Sequence, residues 1–501
     1  VTVRIFADTA IGSAFAAAFM VPNLFRRLLG EGALSAAFLP SYAQLLESDE
    51  DKAHAFSSLV VATLALLTGA LTLLLEAVLL AVLLFAPGDP NRVLVVSLTM
   101  AMLPFMPLIC VAAVLGGMLQ TRGRFGPWAA APIILNLSII AACVPYFLID
   151  GASRRAWAFV IAGAVVFAGA MQVWWSLRAL KGLTLWTRAW SAARPEAVSL
   201  LRRLGPAILG LGTLQLNAML DTLIAIYPNV VGPRLPAWLG GLTYPLDESS
   251  NAVIFYAQRL YQFPLGVFGI AVATVAFPAL SRAANDATAF TAALRRALRL
   301  SLFIGIPASA GLLLVRDDLV RVVFTGAGGF SAGGAHAAAA ILAGYAPAVW
   351  AYSVNHVLTR AFYARGDTAT PVKAALATVG LNLALNVILI WPFREAGLAV
   401  STAISATLQV VLLARWLGRD SGISLFNAAL QASLTKTVTS TAVVCAAVAL
   451  ASAVVGPRET WSSATLGLVV AVLAGALAHA VASAAQRAPE LGWLLGRSPP
   501  R

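Results

Sequence analysis

Apolar residues in this chain run in stretches of about 20, the length an α-helix needs to cross a bilayer, with short polar or basic segments between them. After an apolar remnant at Val1 to Phe6, the stretches cover Ile11 to Leu29, Phe56 to Ala86, Val93 to Gln120, Trp128 to Ile149 and Ala156 to Leu177. A second set covers Leu204 to Tyr227, Asn251 to Leu280, Leu300 to Val315, Ala337 to Tyr363, Val372 to Phe393 and Ala396 to Leu417. Leu434 to Val455 and Ser463 to Ala485 follow. Taking the remnant as the end of a first helix, the pattern predicts an all-α polytopic membrane protein of about 14 transmembrane helices, the first truncated. Residues upstream of Val1 are expected, and no signal peptide is needed when a first transmembrane helix directs insertion.

Composition agrees with that pattern. The chain is 60% hydrophobic and 11% charged, with a mean hydropathy of +0.85, so most of its length requires apolar surroundings. The net charge of +13 does not point to nucleic acid, because Lys and Arg sit between apolar spans rather than in a basic soluble domain. The loops holding Arg122 and Arg124, Arg178 to Arg203, Arg282 to Arg299, Arg360 to Lys373, and Arg415 with Arg419 are basic and alternate with nearly neutral ones. Positive loops face the cytoplasm, which puts both termini inside. Glu47 to Lys52 reads as an acidic loop on that inner side, an exception that weighs little in the rule. Cys110, Cys143 and Cys445 fall in apolar spans without paired spacing and read as small core residues.

The chain repeats itself. Ala37-Phe38-Leu39-Pro40 recurs as Ala276-Phe277-Pro278, Pro132 as Pro371, and Gln172-Val173 with Arg178 and Leu180 as Gln409-Val410 with Arg415 and Leu417, at offsets of 237 to 239 residues. Three matches in order at a common offset indicate a duplicated six-helix unit. An even number of helices inserts both copies in the same sense, so the two lobes are expected to be related by a pseudo-two-fold along the membrane normal, with a central site between them. The expected division is an N-terminal lobe at 1–180, a C-terminal lobe at 181–420, and two extra helices with a tail at 421–501.

Charges inside spans mark the expected site, because each is costly in lipid and must face protein, water or a ligand. Arg26 and Arg27 interrupt an apolar helix, and Arg259 lies in the equivalent helix of the second repeat, matched helix to helix rather than residue to residue. Guanidinium forks bind phosphate oxygens in bidentate geometry, so a phosphate or pyrophosphate is the natural ligand of Arg26 and Arg259. Arg27 has two readings: it faces the same cavity, or it reaches the inner headgroups or Glu31. Pro22 and Pro264, followed by Gly30, Gly32, Gly266 and Gly269, predict broken helices bending around a water-filled path.

A second constellation is made of oxygen donors. Asp221 lies in the seventh helix, Asn382 and Asn386 share one face of the eleventh, and Thr402 lies in the twelfth. Such groups suit a monovalent hard cation, and interhelical hydrogen bonding is the competing reading. Glu76, alone in an apolar run, is another intramembrane carboxylate, either a proton carrier or a protonated and silent group. No metal site is assigned. The sequence holds no phosphate-binding loop, no Gly-x-Ser-x-Gly and no His-Glu-x-x-His, so no cofactor or enzymatic reaction is expected. A polyprenyl transferase would need an acid cluster, and the one candidate, Asp317-Asp318 between Arg316 and Arg321, reads as a solvated turn. A cation-coupled drug exporter would favour acids where these helices carry arginines.

The run Val21-Pro22-Asn23-Leu24-Phe25-Arg26-Arg27-Leu28-Leu29-Gly30-Glu31-Gly32-Ala33-Leu34-Ser35-Ala36-Ala37-Phe38-Leu39-Pro40 resembles the signature of the MurJ (MviN) lipid II flippases of the multidrug/oligosaccharidyl-lipid/polysaccharide exporter superfamily. Leu204 to Gly210, Tyr256 to Leu260 with Phe263 to Gly269, and Phe362 to Lys373 extend the resemblance to essentially the whole chain. It implies a flippase that moves undecaprenyl-pyrophosphate-linked disaccharide-pentapeptide (lipid II) to the outer leaflet of the bacterial inner membrane for peptidoglycan synthesis. It further implies a cationic cavity holding Arg26, Arg259 and Arg4, with Glu31 as a motif acid, and a lipid-tail groove formed by the last two helices. The expected partners are lipid II and membrane lipids, acting on a monomer. The expected drive is alternating access powered by Na⁺, H⁺ or the membrane potential. Flippases of other polyprenyl-linked glycans share the same pyrophosphate chemistry. Ser13-Ala14-Phe15 and Asn386 stand where many or some family members carry acids.

Overall fold

The computed structural model describes residues 1–30, 33–326, 329–421, 425–456 and 460–496, with side chains described outside 29–30, 33–37, 203–214 and 420–421. The described residues are helical, and their only extended pairing is an isolated antiparallel bridge between Arg234 and Thr243 in the loop before Ser250–Pro264. Among them, eleven helices are long and apolar enough to cross a membrane: Glu50–Phe85, Pro90–Thr121, Gly126–Phe147, Arg154–Leu180, Ser250–Arg282, Ala287–Leu314, Ala332–Ala364, Ala369–Phe393, Glu395–Arg419, Ala428–Val455 and Trp461–Ala485. The other expected spans correspond to Thr2–Phe6, to Ala10–Phe25 with its continuation, and to Arg194–Val230. Leu66, Leu73, Leu84 and Phe85 stand 66–86% exposed on Glu50–Phe85, as lipid-facing side chains should.

By contacts the chain divides into two compact units, Val1–Ala252 and Val253–Arg501. The first has one core around Phe6, Phe15, Leu98, Met102 and Ile161, joined by Ile226, and another around Phe38, Tyr42, Phe56, Met118 and Leu119. Arg194–Val230, which the repeat counts as the opening helix of the second lobe, thus packs within the first compact unit. The second unit centres on Leu280, Phe290, Leu294, Leu358, Phe362 and Leu413. Cys110 and Cys143 are buried and unbonded to sulfur, in keeping with their reading as core residues.

Two local elements differ from the sequence reading. Glu47 to Lys52 is no loop: Ala33–Ser48 runs through its first residues, and Asp49 caps the next helix, accepting the Lys52 backbone N–H at 3.0 Å. Glu50 and Asp51 then occupy the first turn, where carboxylates favour the positive end of the helix dipole. Asp317 and Asp318 occupy the same kind of position in Arg316–Phe324 rather than a free turn.

The prolines of both repeats are followed by irregular helical turns, and Ser250–Arg282 still runs on as one helix. Ala10–Phe25, containing Pro22, passes into a π-helical turn at Arg26–Gly30 and then, past 31–32, into Ala33–Ser48. Ser250–Pro264 passes into a π-helical turn at Leu265–Ile270 and then into Ala271–Arg282. A proline lacks the N–H of the regular ladder, and the widened turn beside it accommodates the lost bond. π-Helical turns inside α-helices are frequent at functional sites.

Candidate functional site

Arg26 opens the first π-turn, and its side chain is half-buried. Its Nε donates to Asn23 Oδ1 at 2.9 Å, three residues back on the same helix face, which fixes the plane of the guanidinium. Arg27 Nη1 donates to Gln215 Oε1 at 3.4 Å, so this arginine is tied to the helix Arg194–Val230. Adjacent in sequence, the two point to different neighbours because successive helical residues project about 100° apart. Glu31 lies outside the described residues. Arg4 belongs to a separate element, exposed in the last turn of Thr2–Phe6, where a cation meets the carbonyl end of the helix.

In the second unit Arg259 is exposed and lies six residues before its π-turn, whereas Arg26 begins one. Its guanidinium carbon sits 4.8 Å from the Phe255 ring centroid, and Nη1 donates to Gln262 Oε1 at 3.2 Å. Phe255, Arg259 and Gln262 therefore form one strip along the helix. Next to it, Gln258 Nε2 donates to Tyr345 OH at 3.0 Å, and Tyr261 stacks on Tyr345 with centroids 4.4 Å apart. Each arginine thus has an amide-bearing residue three positions away on its own helix. The spacing was visible in the sequence; the Gln215 partner of Arg27, 188 residues distant, carried no local signal.

The oxygen donors separate into groups. Asn382 and Asn386 are fully buried, and Asn386 Nδ2 donates to Asn382 Oδ1 at 3.1 Å. Asn382 Nδ2 donates to Thr402 Oγ1 at 3.3 Å, and Ser401, which the sequence reading passed over, donates its hydroxyl to Asn386 Oδ1. The structure so brings Asn382, Asn386 and Thr402 into one ladder between Ala369–Phe393 and Glu395–Ser421. Asp221 is buried, 5% exposed, in a helix of the first unit, and Glu76 is half-buried beside the exposed Leu73 and Leu74 on Glu50–Phe85. Among the described residues no three His, Cys, Asp or Glu side chains are grouped to hold a metal ion.

The profile of the family described as "Lipid II flippase MurJ" matches residues 2–469. The chain belongs to the lipid II flippase MurJ family. A relative named probable lipid II flippase MurJ from Rhizobium tropici is 33% identical over 411 residues, covering 80% of this chain and 73% of that one. A solved structure described as lipid II flippase MurJ in an inward closed conformation has a TM-score of 0.75 at 20% identity, covering 97% of both chains. An inward-facing multidrug resistance MATE family transporter of the MOP superfamily has a TM-score of 0.64 at 12% identity, covering 84% of this chain and 93% of its own. At these identities the two structures speak for the fold, which is that of a polytopic transporter. Members of the family are named flippases, which move a lipid rather than convert it, and the protein is a membrane protein.

Proposed function

We propose that this protein is a lipid II flippase, moving undecaprenyl-pyrophosphate-linked disaccharide-pentapeptide from the inner to the outer leaflet of the bacterial cytoplasmic membrane. The observation that carries this reading is the family match along residues 2–469. The residues supply a chemical reason. A pyrophosphate bears charge that a bilayer rejects, and Arg26 and Arg259 are guanidiniums set in apolar helices, each oriented by an amide oxygen of Asn23 or Gln262. Both lie in helices that carry a proline and a π-turn, where backbone geometry can change without unfolding the whole span.

In the proposed cycle the arginines take the pyrophosphate from the inner leaflet, the sugar and peptide stay hydrated, and the polyprenyl tail remains in lipid. Alternating exposure to the two leaflets then delivers the headgroup outward. A gradient resets the cycle, since one charge moved through 100 mV supplies about 2.3 kcal/mol. Asp221 and Glu76 are the carboxylates through which Na⁺ or H⁺ would couple, with Asn382, Asn386 and Thr402 as neutral oxygen donors. The basic loops favour cytoplasmic termini, and the protein acts as a monomer.

The test is rescue of cells depleted of their own lipid II flippase. The unmutated protein restores growth, and Arg26→Ala and Arg259→Ala, expressed to the same level in the membrane, do not. Rescue by both variants would remove the arginines from the site. Failure of the unmutated protein at normal expression would reject lipid II as the substrate.

A further inference from the structure

The chain does not simply end after its last long helix. At Arg487 the backbone takes φ 49°, a left-handed conformation uncommon for a residue with a side chain. The Arg487 N–H donates to Ala484 O and the Ala488 N–H to Ser483 O, both at 2.9 Å, closing the turn. The chain then folds back as the short helix Pro489–Leu494.

That return buries a carboxylate. Glu490 is 1% exposed, and its Oε1 receives Arg299 Nη2 at 2.6 Å, Arg299 Nε at 2.7 Å and the Ser433 hydroxyl at 2.6 Å. Arg299 belongs to Ala287–Leu314 and Ser433 to Ala428–Val455, so one oxygen joins three elements. Three residues on, the Trp493 ring lies 4.9 Å from the guanidinium carbons of both Arg296 and Arg299. On the other flank, Lys436 Nζ donates to Arg487 O at 3.4 Å and Thr439 Oγ1 to Gln486 Oε1 at 3.0 Å. One turn along Ala287–Leu314 from Arg299, Phe303 meets the His479 ring of Trp461–Ala485 with centroids 4.5 Å apart.

We propose that Pro489–Leu494 is a clasp, with Glu490 as its positioning residue, that fastens the two helices outside the repeat to Ala287–Leu314. The argument is one of charge. A buried carboxylate is tolerated only with its cation in place, so Glu490 stays seated when Ala287–Leu314 and Ala428–Val455 are both in position. Removing either partner leaves an uncompensated charge, and the junction opens. With the clasp closed, the last two long helices follow the motion of Ala287–Leu314 as one body.

Hydrogen exchange of the full-length protein in lipid nanodiscs tests this, with Glu490→Gln, Arg299→Gln, Trp493→Leu and the double variant Arg299→Gln/Glu490→Gln. In either single Gln variant, exchange is expected to rise at least about tenfold in the inner ends of the last two long helices, residues 428–440 and 478–485, while Glu50–Phe85 keeps its protection. Trp493→Leu, which keeps the ion pair, produces a smaller rise in the same segments. The double variant exchanges no faster than the singles, because two neutral amides leave no orphaned charge. Unchanged exchange in both single variants, acceleration spread evenly over every helix, or additive acceleration in the double variant would each overturn the clasp.

Discussion

Lys52 Nζ lies 2.6 Å from Glu196 Oε1, joining the first turn of Glu50–Phe85 to the first turn of Arg194–Val230. Around it, Glu50 Oε1 stands 3.7 Å from Arg122 Nη2 and 3.7 Å from His54 Nε2.

The pair makes stability depend on acid. Hydrogen bonding to Lys52 holds the Glu196 carboxyl below its ordinary value, outweighing the upward push of partial burial. A depressed carboxylate stabilises the fold above its unfolded pKa of about 4.3 and loses that contribution as pH falls through its folded value. Thermal unfolding in detergent should show the unmutated protein above Glu196→Gln at pH 6 to 7, with the gap closing as pH drops below about 4. The gap should also shrink at high salt, because both side chains are partly exposed. A gap that stays constant from neutral pH into acid would show that Glu196 acts by packing rather than charge.

Arg26 and Arg27 should separate in a flipping assay with labelled lipid II in proteoliposomes. Arg26→Lys keeps the charge and loses the planar fork, so transport should fall by roughly tenfold rather than recover. Asn23→Ala removes the acceptor that orients Arg26 Nε and should cost severalfold. Gln215→Ala removes a hydrogen bond to Arg27 and should leave the rate within about a factor of two. Equal losses in Asn23→Ala and Gln215→Ala would make the two arginines one functional unit.

The spans were legible because bilayer thickness imposes a run length that chance rarely supplies. Pro22 and Pro264 likewise mark irregular places in their helices, although Ser250–Arg282 runs on through its π-turn as one helix and not as a broken one. The widened turns at Arg26–Gly30 and Leu265–Ile270 were not legible, since regular and π-helical hydrogen bonding draw on the same residues. Glu47 to Lys52 was misread because charge density resembles a loop, while Asp49 three residues before Lys52 is a cap. The seating of Arg194–Val230 against the first helices was beyond reach as well. A helix that must bury apolar surface on several sides does not specify in its sequence which neighbour covers each side.

The two glycines of the second π-turn should respond oppositely to substitution. A Cβ on Gly269 would lie 2.5 Å from Ser353 Oγ and 3.1 Å from Ser353 Cβ, whereas one on Gly266 meets nothing within 4 Å. Gly269→Val should therefore destabilise by about 1–3 kcal/mol through overpacking. Gly266→Ala should be neutral or stabilise by up to about 1 kcal/mol, because Ala costs less backbone entropy in a helix. Unfolding midpoints of the two variants decide the point, and a Gly269→Val protein as stable as the unmutated one would mean that the helix carrying Ser353 yields.

Asn382 and Asn386 set up a different kind of test, because each amide serves as the other's partner. Replacing Asn386 by Leu leaves Asn382 Oδ1 without its donor, while Ser401 keeps acceptors in the carbonyls of Gly397 and Leu398 at 3.0 Å. Replacing Asn382 breaks the bond from Asn386 Nδ2, and Thr402 still donates to Leu398 O at 2.9 Å. Each single substitution should cost about 1–3 kcal/mol, as breaking a buried hydrogen bond from one side does. The double Leu variant removes donor and acceptor together and should cost clearly less than the sum of the two. If the pair works as a hydrogen-bonded ladder, this non-additivity should be the same in sodium and potassium buffers. If the oxygens bind a coupling cation, sodium should raise the midpoint of the unmutated protein and of neither variant, since a ligand stabilises only the state that holds it.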